Sequence, residues 1–312
     1  MKPGALLIAG PTASGKSAVA LTLARRLDAT IVNADSMQVY RDLRALTARP
    51  SAEEESLTPH RLFGSVDGAV NFSVGRWLVE AKAVAAEAFA QGRSAIFVGG
   101  TGLYFRALTQ GFSEIPAVPE GVRARVREEA ESFETAALHA QLAVCDPATA
   151  ARLRPSDRQR LLRALEVFAA TGQPLVSFQG ARGAPLLERG QWAGIFLAPD
   201  RETLNSLIDR RFDAMLGAGA LQEVEALARR KLDPALPVMR AHGAPHLIAY
   251  LAGALSLEEA AIRSRLDTRR YAKRQFTWAR HQMSDFAWVA PGEAIEAGGR
   301  ALGQLSLHER LR

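Results

Sequence analysis

A glycine-rich stretch near the N-terminus reads Gly10-Pro11-Thr12-Ala13-Ser14-Gly15-Lys16-Ser17. It matches the phosphate-loop pattern G-x-x-x-x-G-K-[ST], in which backbone N–H groups surround a phosphate. Residues 6–9 before it form an apolar run typical of a buried strand, and residues 17–27 after it carry apolar side chains at helical spacing. On such a strand-to-helix turn the helix N-terminus favours an anion, and Lys16 adds a positive charge. The stretch predicts a site for a diphosphate or triphosphate, with the Ser17 hydroxyl as a ligand of Mg²⁺.

The rest of the chain alternates between strand and helix patterns. Short apolar runs follow at residues 30–34, 95–98, 192–197 and 286–289, and an amphipathic helical pattern covers residues 73–91. Alternation of this kind predicts a parallel sheet covered by helices on both faces. Ligands of such sheets bind where the strands end. Because Lys16, Asp35 and Thr101 each follow a predicted strand, we expect all three to face one crevice.

The composition restricts the class of protein. The 312 residues are 48% hydrophobic and 23% charged, as is ordinary for a globular protein, and the chain has one cysteine, which rules out an internal disulfide. No apolar run reaches the roughly 18 residues that span a bilayer, and residues 1–4 lead directly into the first strand. We therefore expect a cytoplasmic protein with no membrane partner. Nothing in the sequence requires more than a monomer or an obligate protein partner.

Arginine-rich segments predict a polyanionic partner. The net charge is +6, and the arginines cluster at residues 123–127, 152–163 and 263–280. Clustered arginine suits contacts to phosphates, so nucleic acid is the expected partner, the alternative being solvated helix faces. The first two clusters lie in a helical region that interrupts the strand–helix alternation. We predict a catalytic core of residues 1–115 and 191–312, with an all-helical insertion domain at 116–190 that binds RNA.

The residues at the predicted strand ends indicate the type of reaction. A kinase or NTPase with a phosphate loop usually has a second acid at the end of a strand, but the run at 95–98 ends in Gly99-Gly100-Thr101. Asp35 does end a strand, and Ser36-Met37-Gln38 follow it. This arrangement fits a diphosphate that leaves with the spent substrate, while Asp35 accepts a proton from the nucleophile. The alternative role for Asp35 is to cap the next turn.

An ordered set of motifs resembles the tRNA dimethylallyltransferases, also called tRNA isopentenyltransferases, along nearly the whole chain. The set consists of residues 10–17, Asp35-Ser36-Met37-Gln38-Val39-Tyr40, Val98-Gly99-Gly100-Thr101-Gly102-Leu103-Tyr104, Asp157-Arg158-Gln159-Arg160, Arg163-Ala164-Leu165-Glu166, Thr171-Gly172, Thr268-Arg269-Arg270-Tyr271-Ala272-Lys273-Arg274-Gln275 and Thr277-Trp278. The chain lacks the adjacent histidines and the Gly-Tyr pair of many members, having Pro59-His60-Arg61 and Gly243-Ala244. Its one cysteine is too few for a zinc finger, so the chain resembles the bacterial form.

The resemblance implies a fold and a reaction. The fold would be a P-loop NTPase-like α/β core with the helical insertion. The reaction would transfer a dimethylallyl group from dimethylallyl diphosphate to N6 of adenosine 37 in the anticodon stem-loop of tRNA. The tRNAs concerned read codons that begin with U, and the product is N6-dimethylallyladenosine. Mg²⁺ would be the cofactor.

The resemblance also implies roles for individual residues. Residues 10–17 would hold the diphosphate, with Ser17 on the metal, while Asp35 acts as the general base and Thr101 approaches the reacting centre. The residues that would contact tRNA are Asp35, Ser36, Met37, Gln38, Thr101, Arg123, Gln159, Arg160, Leu161, Leu162 and Arg163. Residues 269–280 would add positive charge.

Two other functions share some of these features. A small-molecule or nucleoside kinase has the same loop and the same α/β core. It is disfavoured because the strand-end acid is missing and because a small substrate does not require the arginine-rich insertion. A non-catalytic RNA-binding protein with a vestigial phosphate loop is the third hypothesis. Replacement of Asp35 separates this last case from an enzyme, because only an enzyme loses activity while it still binds RNA.

Overall fold

One parallel sheet organises the larger part of the chain. The structure is a computed structural model that describes residues 4–113, 115–180 and 183–308, excepting the side chains of 306–308. The strands it describes are β1 (Ala5–Ala9), β2 (Thr30–Asn33), β3 (His60–Arg61), β4 (Ala95–Gly99), β5 (Trp192–Leu197) and β6 (Phe286–Val289). Their order in the sheet is β3-β2-β4-β1-β5-β6, with every neighbouring pair parallel. The predicted α/β class is confirmed.

Helices connect the strands and form the insertion. They are α1 (Lys16–Leu27), α2 (Ala52–Leu57), α3 (Val74–Ala90), α4 (Gly102–Gln110), α5 (Glu120–Glu131), α6 (Thr135–Cys145), α7 (Pro147–Ala150), α8 (Arg158–Thr171), α9 (Arg201–Gly217), α10 (Ala220–Arg229), α11 (Ala244–Leu251), α12 (Leu257–Gln282) and α13 (Ala294–His308). Over the residues that the structure describes, none of these helices combines the length and the apolar character needed to cross a bilayer.

The chain divides into two compact units. The first, the α/β unit, comprises Met1–Thr109 and Leu186–Arg312, and the second, the helical unit, comprises Gln110–Pro185. These bounds lie a few residues from the boundaries expected from the sequence at 115/116 and 190/191. The function of the helical unit in binding RNA stays a prediction.

The core of the α/β unit lies on both faces of the sheet. All residues of β1 and β4 are buried, as in parallel sheets whose two faces are covered. On one face Trp77 of α3 stacks on Tyr104 of α4 with ring centroids 4.0 Å apart. The Trp77 indole also donates a hydrogen bond of 2.9 Å to the carbonyl of Asn33, the last residue of β2. This contact fixes the end of β2, from which the chain enters the candidate site.

The helical unit has its own core. Helices α5 to α8 enclose apolar side chains that include Leu138, Leu142 and Leu161, each without exposed area. The buried carboxylate of Asp146 accepts hydrogen bonds from the N–H groups of Thr149 (2.9 Å) and Leu175 (3.0 Å). Because a buried carboxylate without partners would be costly, these bonds tie the short helix α7 to the segment after α8.

Candidate active site

The order of the strands brings three loops to one edge of the sheet. β4 lies between β2 and β1, so the loops that follow these strands are neighbours. They are the phosphate loop (residues 10–17), the Asp35 loop (residues 34–38) and the Thr101 loop (residues 99–101). Lys16 and Asp35 line the same pocket. Thr101 is connected to the pocket through Ser36, a lining residue whose N–H donates a hydrogen bond of 2.9 Å to the Thr101 hydroxyl.

The phosphate loop is wound into a concave set of N–H groups. Ala13 (φ 63°) and Gly15 (φ 84°) both have left-handed backbone conformations, which turn successive amides inward and which glycine adopts without steric cost. The first N–H groups of α1, which begins at Lys16, have no acceptor within the helix. The buried Ser14 hydroxyl has no hydrogen-bond partner among the described residues. These donors make the loop a candidate site for an anion.

Lys16 is held inside this site. Its side chain is buried, with 8% of the residue exposed, and its Nζ donates a hydrogen bond of 3.1 Å to the carbonyl of Pro11. Burial, together with the positive charge of Arg211, lowers the pKa of Lys16 to about 8, and the carboxylate of Asp35 opposes the shift. A bound anion would favour the charged form of this ammonium group.

Arg211 on α9 also lines the pocket, although the sequence did not indicate it as a site residue. Burial lowers the pKa of Arg211, while the Asp35 carboxylate acts in the opposite direction. One guanidinium nitrogen lies 3.4 Å from the carbonyl of Thr47, but the buried Nε has no partner in the part of the chain that the structure describes. No spacing in the sequence distinguishes Arg211 from the other arginines of residues 201–280. Only the tertiary fold places it opposite Lys16.

Asp35 follows β2 and lines the pocket together with Lys16 and Arg211. One carboxylate oxygen accepts a hydrogen bond of 2.9 Å from the N–H of Met37, so the capping role left open by the sequence is present. The Asn33 side chain holds the backbone of Asp35 from both sides, accepting from its N–H (2.8 Å) and donating to its carbonyl (2.9 Å). The same Asp35 side chain lines the pocket. Capping therefore orients the carboxylate toward the pocket instead of withdrawing it.

The pocket also has apolar and aromatic lining residues. It is lined by Met37, Leu46, Ile208, Phe212, Met215 and Tyr271. His242, which also lines the pocket, packs on the Tyr271 ring with centroids 4.5 Å apart. Burial, and secondly the Arg274 charge, lowers the pKa of His242, while burial and the Asp35 charge raise the pKa of Tyr271. Both rings are therefore neutral at pH 7, and the pocket combines charged side chains with uncharged rings.

A carboxylate from α10 fixes the segment that carries Leu46. Glu223 accepts hydrogen bonds from the N–H groups of Arg44 (2.9 Å), Ala45 (2.8 Å) and Leu46 (3.1 Å). The Gln38 side chain then donates to the carbonyls of residues 47 and 48 at 2.9 and 3.0 Å. Gln38, predicted from the sequence as a contact residue, therefore also shapes the pocket. Glu223 was missed because its partners lie almost 180 residues away.

In the helical unit, two arginine clusters that are separate in sequence meet around one acid. Glu166, which is 2% exposed, lies 2.8 Å from Arg127 and 3.8 Å from Arg163. Burial lowers the pKa of Arg163, and Arg123 contributes to this shift, so these two charges lie close together. Two arginines thus share one buried carboxylate, and Arg123 beside them pairs with the exposed Glu120 at 2.8 Å. The arginines of these two clusters therefore lie together in the helical unit.

The remaining predicted contact residues of α8 differ in exposure. Gln159 and Arg160 are exposed, Leu162 is half-buried, and Leu161 has no exposed area. A direct contact between the Leu161 side chain and RNA is not supported, because this side chain packs in the core of the helical unit. The sequence motif did not separate the buried face of α8 from its exposed face.

The sequence profile of the IPP transferase family matches residues 38–282. The chain belongs to this family. The profile of isopentenyl transferases matches residues 3–65, which include the phosphate loop. The tRNA dimethylallyltransferase of Beijerinckia indica is 63% identical over 290 residues, or 93% of this chain and 96% of the relative. The corresponding protein of Methylocella silvestris is 62% identical with the same coverage.

Solved structures of this IPP transferase family have the same fold. The full-length tRNA isopentenylpyrophosphate transferase of Bacillus halodurans superposes with a TM-score of 0.70 at 32% identity, covering 99% of both chains. A eukaryotic dimethylallyltransferase, seen in crystallographic snapshots acting on tRNA, gives a TM-score of 0.77 at 26% identity, covering 93% of this chain and 74% of the other. The predictions of a P-loop NTPase-like fold and of this prenyltransferase family are confirmed.

Proposed function

We propose that this chain transfers the dimethylallyl group of dimethylallyl diphosphate to N6 of adenosine 37 in tRNAs that read codons beginning with U. The product is N6-dimethylallyladenosine. The observation that carries this proposal is one pocket lined by phosphate-loop residues with Lys16 and Arg211, by Asp35 and by apolar side chains. A kinase is disfavoured because β4 ends at Gly99, without an acid to hold the metal of a nucleotide.

The cationic end of the pocket stabilises the leaving group. Adenine N6 attacks C1 of the dimethylallyl group, a C–N bond forms, and the C–O bond to the diphosphate breaks with its electron pair on oxygen. Negative charge grows on the diphosphate during this step. Lys16 and Arg211 line the pocket that would receive the diphosphate, and charges fixed in advance where negative charge develops contribute strongly to catalysis.

Asp35 receives the proton that N6 loses. Its carboxylate accepts the N–H of Met37, and Asp35 lines the pocket together with Lys16. A positioned carboxylate of this kind contributes to catalysis as a general base. Thr101, held between Ser36 and Tyr271, lies next to Asp35 and would orient the amine.

The pocket fits a magnesium ion that is shared with the substrate. No group of three or more His, Cys, Asp or Glu residues that would hold a metal occurs in the described ranges. Mg²⁺ commonly binds through substrate phosphates with few protein ligands, and the Ser17 hydroxyl at the start of α1 lines the pocket. Ser17 would hold the ion, which would neutralise part of the diphosphate charge when bound.

The arginines of the helical unit and the basic face of α12 would bind the tRNA backbone. A loop base must leave its stack to reach a pocket, which costs roughly a few kcal/mol. Phosphate contacts supply binding energy for this step and position the RNA, while the pocket selects the base. We place the reaction in the cytoplasm, with a monomer as the active species.

Label transfer tests the proposed function directly. The protein is incubated with radiolabelled dimethylallyl diphosphate and unmodified tRNA, beside a tRNA in which adenosine 37 is replaced by guanosine. Label in the first RNA and none in the second supports the proposal. Consumption of ATP with a small-molecule acceptor, and no label in either RNA, would support the kinase instead.

Binding of the diphosphate substrate should depend on pH through Lys16. Because the pKa of Lys16 is lowered to about 8, the free protein carries this charge below that pH and loses it above. We expect the affinity for dimethylallyl diphosphate to fall above about pH 8, by at most about tenfold per pH unit. Titration calorimetry from about pH 7 to about pH 9.5 measures the profile. Lys16→Met should bind weakly and show no such fall. An unchanged affinity across this range in the native protein would contradict the assignment.

Binding of tRNA should depend strongly on salt. If several arginines meet phosphates, the affinity for tRNA should drop steeply between about 50 and about 200 mM salt, and that for dimethylallyl diphosphate much less. Arg163→Ala should reduce the slope of log affinity against log salt by about one. Lys82→Ala, on the exposed face of α3, serves as control. A flat profile for tRNA would argue against the placement of the basic residues.

A further inference from the structure

A buried glutamine on α12 connects two loops of the candidate site. Gln275 is 7% exposed. Its side-chain oxygen accepts a hydrogen bond of 3.0 Å from the N–H of Thr12 in the phosphate loop. Its side-chain nitrogen donates a hydrogen bond of 2.9 Å to the carbonyl of Gly100 in the Thr101 loop. One amide group therefore bridges the diphosphate site and the loop beside Asp35.

The bridge holds the peptide that precedes Thr101. The carbonyl of Gly100 and the N–H of Thr101 belong to the same planar peptide unit. The carbonyl is bound by Gln275, and the N–H donates a hydrogen bond of 3.2 Å to the carbonyl of Ala34. Since both ends of the peptide are fixed, the direction in which the Thr101 side chain leaves the backbone is fixed as well.

The Gln275 amide approaches Gly100 closely. A Cβ at position 100 would lie 2.2 Å from the nitrogen of Gln275, so glycine is required for the close approach. A carboxamide combines a donor and an acceptor on one rigid plane without a charge. A carboxylate in its place would lack the donor to Gly100 and would repel the diphosphate.

We propose that Gln275 is a positioning residue, which sets the distance between the bound diphosphate and the Thr101 side chain. This inference rests on the proposed function. In the transfer reaction, the leaving oxygen and the attacking amine must lie on opposite sides of one carbon atom. The phosphate loop holds the first group and the Asp35 and Thr101 loops hold the second. Gln275 acts through both loops and touches neither reactant.

Replacement by a side chain of similar length tests the bridge. Gln275→Met keeps the volume and removes both hydrogen bonds, and Gln222→Met, at an exposed position of α10, is the matched control. A misplacement of about 1 Å in a reacting geometry costs on the order of a hundredfold in rate. We expect kcat for label transfer to fall by about tenfold to about a hundredfold. The affinity for tRNA and the values of Gln222→Met should stay unchanged.

A double-mutant cycle separates positioning from simple support of the fold. If Gln275 acts through Thr101, Gln275→Met should lower kcat much less in a Thr101→Ala background than in the native protein, because the two changes remove the same contribution. Equal loss of kcat in both backgrounds, or native kcat in Gln275→Met, would overturn the proposal. Thermal unfolding of every variant shows whether the fold is intact.

A second variant covers the case in which Gln275→Met does not fold. Gln275→Glu has the same shape and keeps the acceptor for Thr12, but it loses the donor to Gly100. We expect a lower kcat together with a higher KM for dimethylallyl diphosphate, and unchanged values would count against the bridge. Label transfer by the native protein is measured first: its absence refutes the proposed function, whereas its presence with unaffected variants refutes only this inference.

Discussion

Asp35→Asn is expected to lower kcat for dimethylallyl transfer by about 10²-fold to about 10⁴-fold, the usual contribution of a general base. The asparagine oxygen still accepts the N–H of Met37, so the turn and the pocket keep their shape, while the side chain can no longer take the proton from N6. Single-turnover label transfer measures the rate, and filter binding measures tRNA affinity, which should change little.

Asp233→Asn provides the control for this replacement. The Asp233 carboxylate accepts a hydrogen bond of 2.7 Å from the N–H two residues later, as Asp35 does, but it lies on an exposed turn outside the pocket. Its substitution therefore makes the same chemical change to the same type of turn. Retention of full activity by Asp35→Asn would remove Asp35 from the mechanism. Equal loss in both variants would point to the turns instead.

Arg211→Met should lower kcat/KM for dimethylallyl diphosphate by about 10²-fold to about 10³-fold, as does the loss of one oriented donor to a developing negative charge. The Arg211 residue lines the pocket and has a buried Nε without a partner among the described residues, a donor that a bound diphosphate would engage. Arg210→Met, at the exposed neighbouring position of α9, should behave as the native protein. The ratio of the two variants measures the contribution of this charge.

The same variant has a second, independent signature. The charge of Arg211 helps to lower the pKa of Lys16, so its removal should raise that pKa. The fall in diphosphate affinity at high pH should therefore move to a higher pH in Arg211→Met. An unmoved profile would mean that Arg211 and Lys16 do not share the site, whatever the effect on rate.

The elements of the fold were predictable where the signal is local. Short apolar runs ended by turn residues predicted the strands at 95–98, 192–197 and 286–289, and each is present in the sheet. The phosphate loop was predictable because its pattern is contiguous and its flanks have different periodicities. Since strand ends meet at one edge of a parallel sheet, the neighbourhood of Lys16 and Asp35 also followed from the sequence.

The residues that the sequence did not reveal act through long-range contacts. Arg211, Glu223 and Gln275 reach the site from helices of the second half of the chain, and nothing in their spacing indicates this. Gln275 was part of a recognised motif, but the motif gave it no contact. Leu161 illustrates the opposite case, because a contiguous motif on a helix includes both a buried face and an exposed one.

The carboxylate of Glu223 has a consequence for how the site meets its ligands. The segment of residues 44–46, whose three consecutive N–H groups all donate to Glu223, has little conformational entropy left to lose when a substrate binds. The entropic penalty of ordering that stretch is met during folding and not during each catalytic cycle. Glu223→Ala should therefore slow the binding of substrate more than it slows the chemical step.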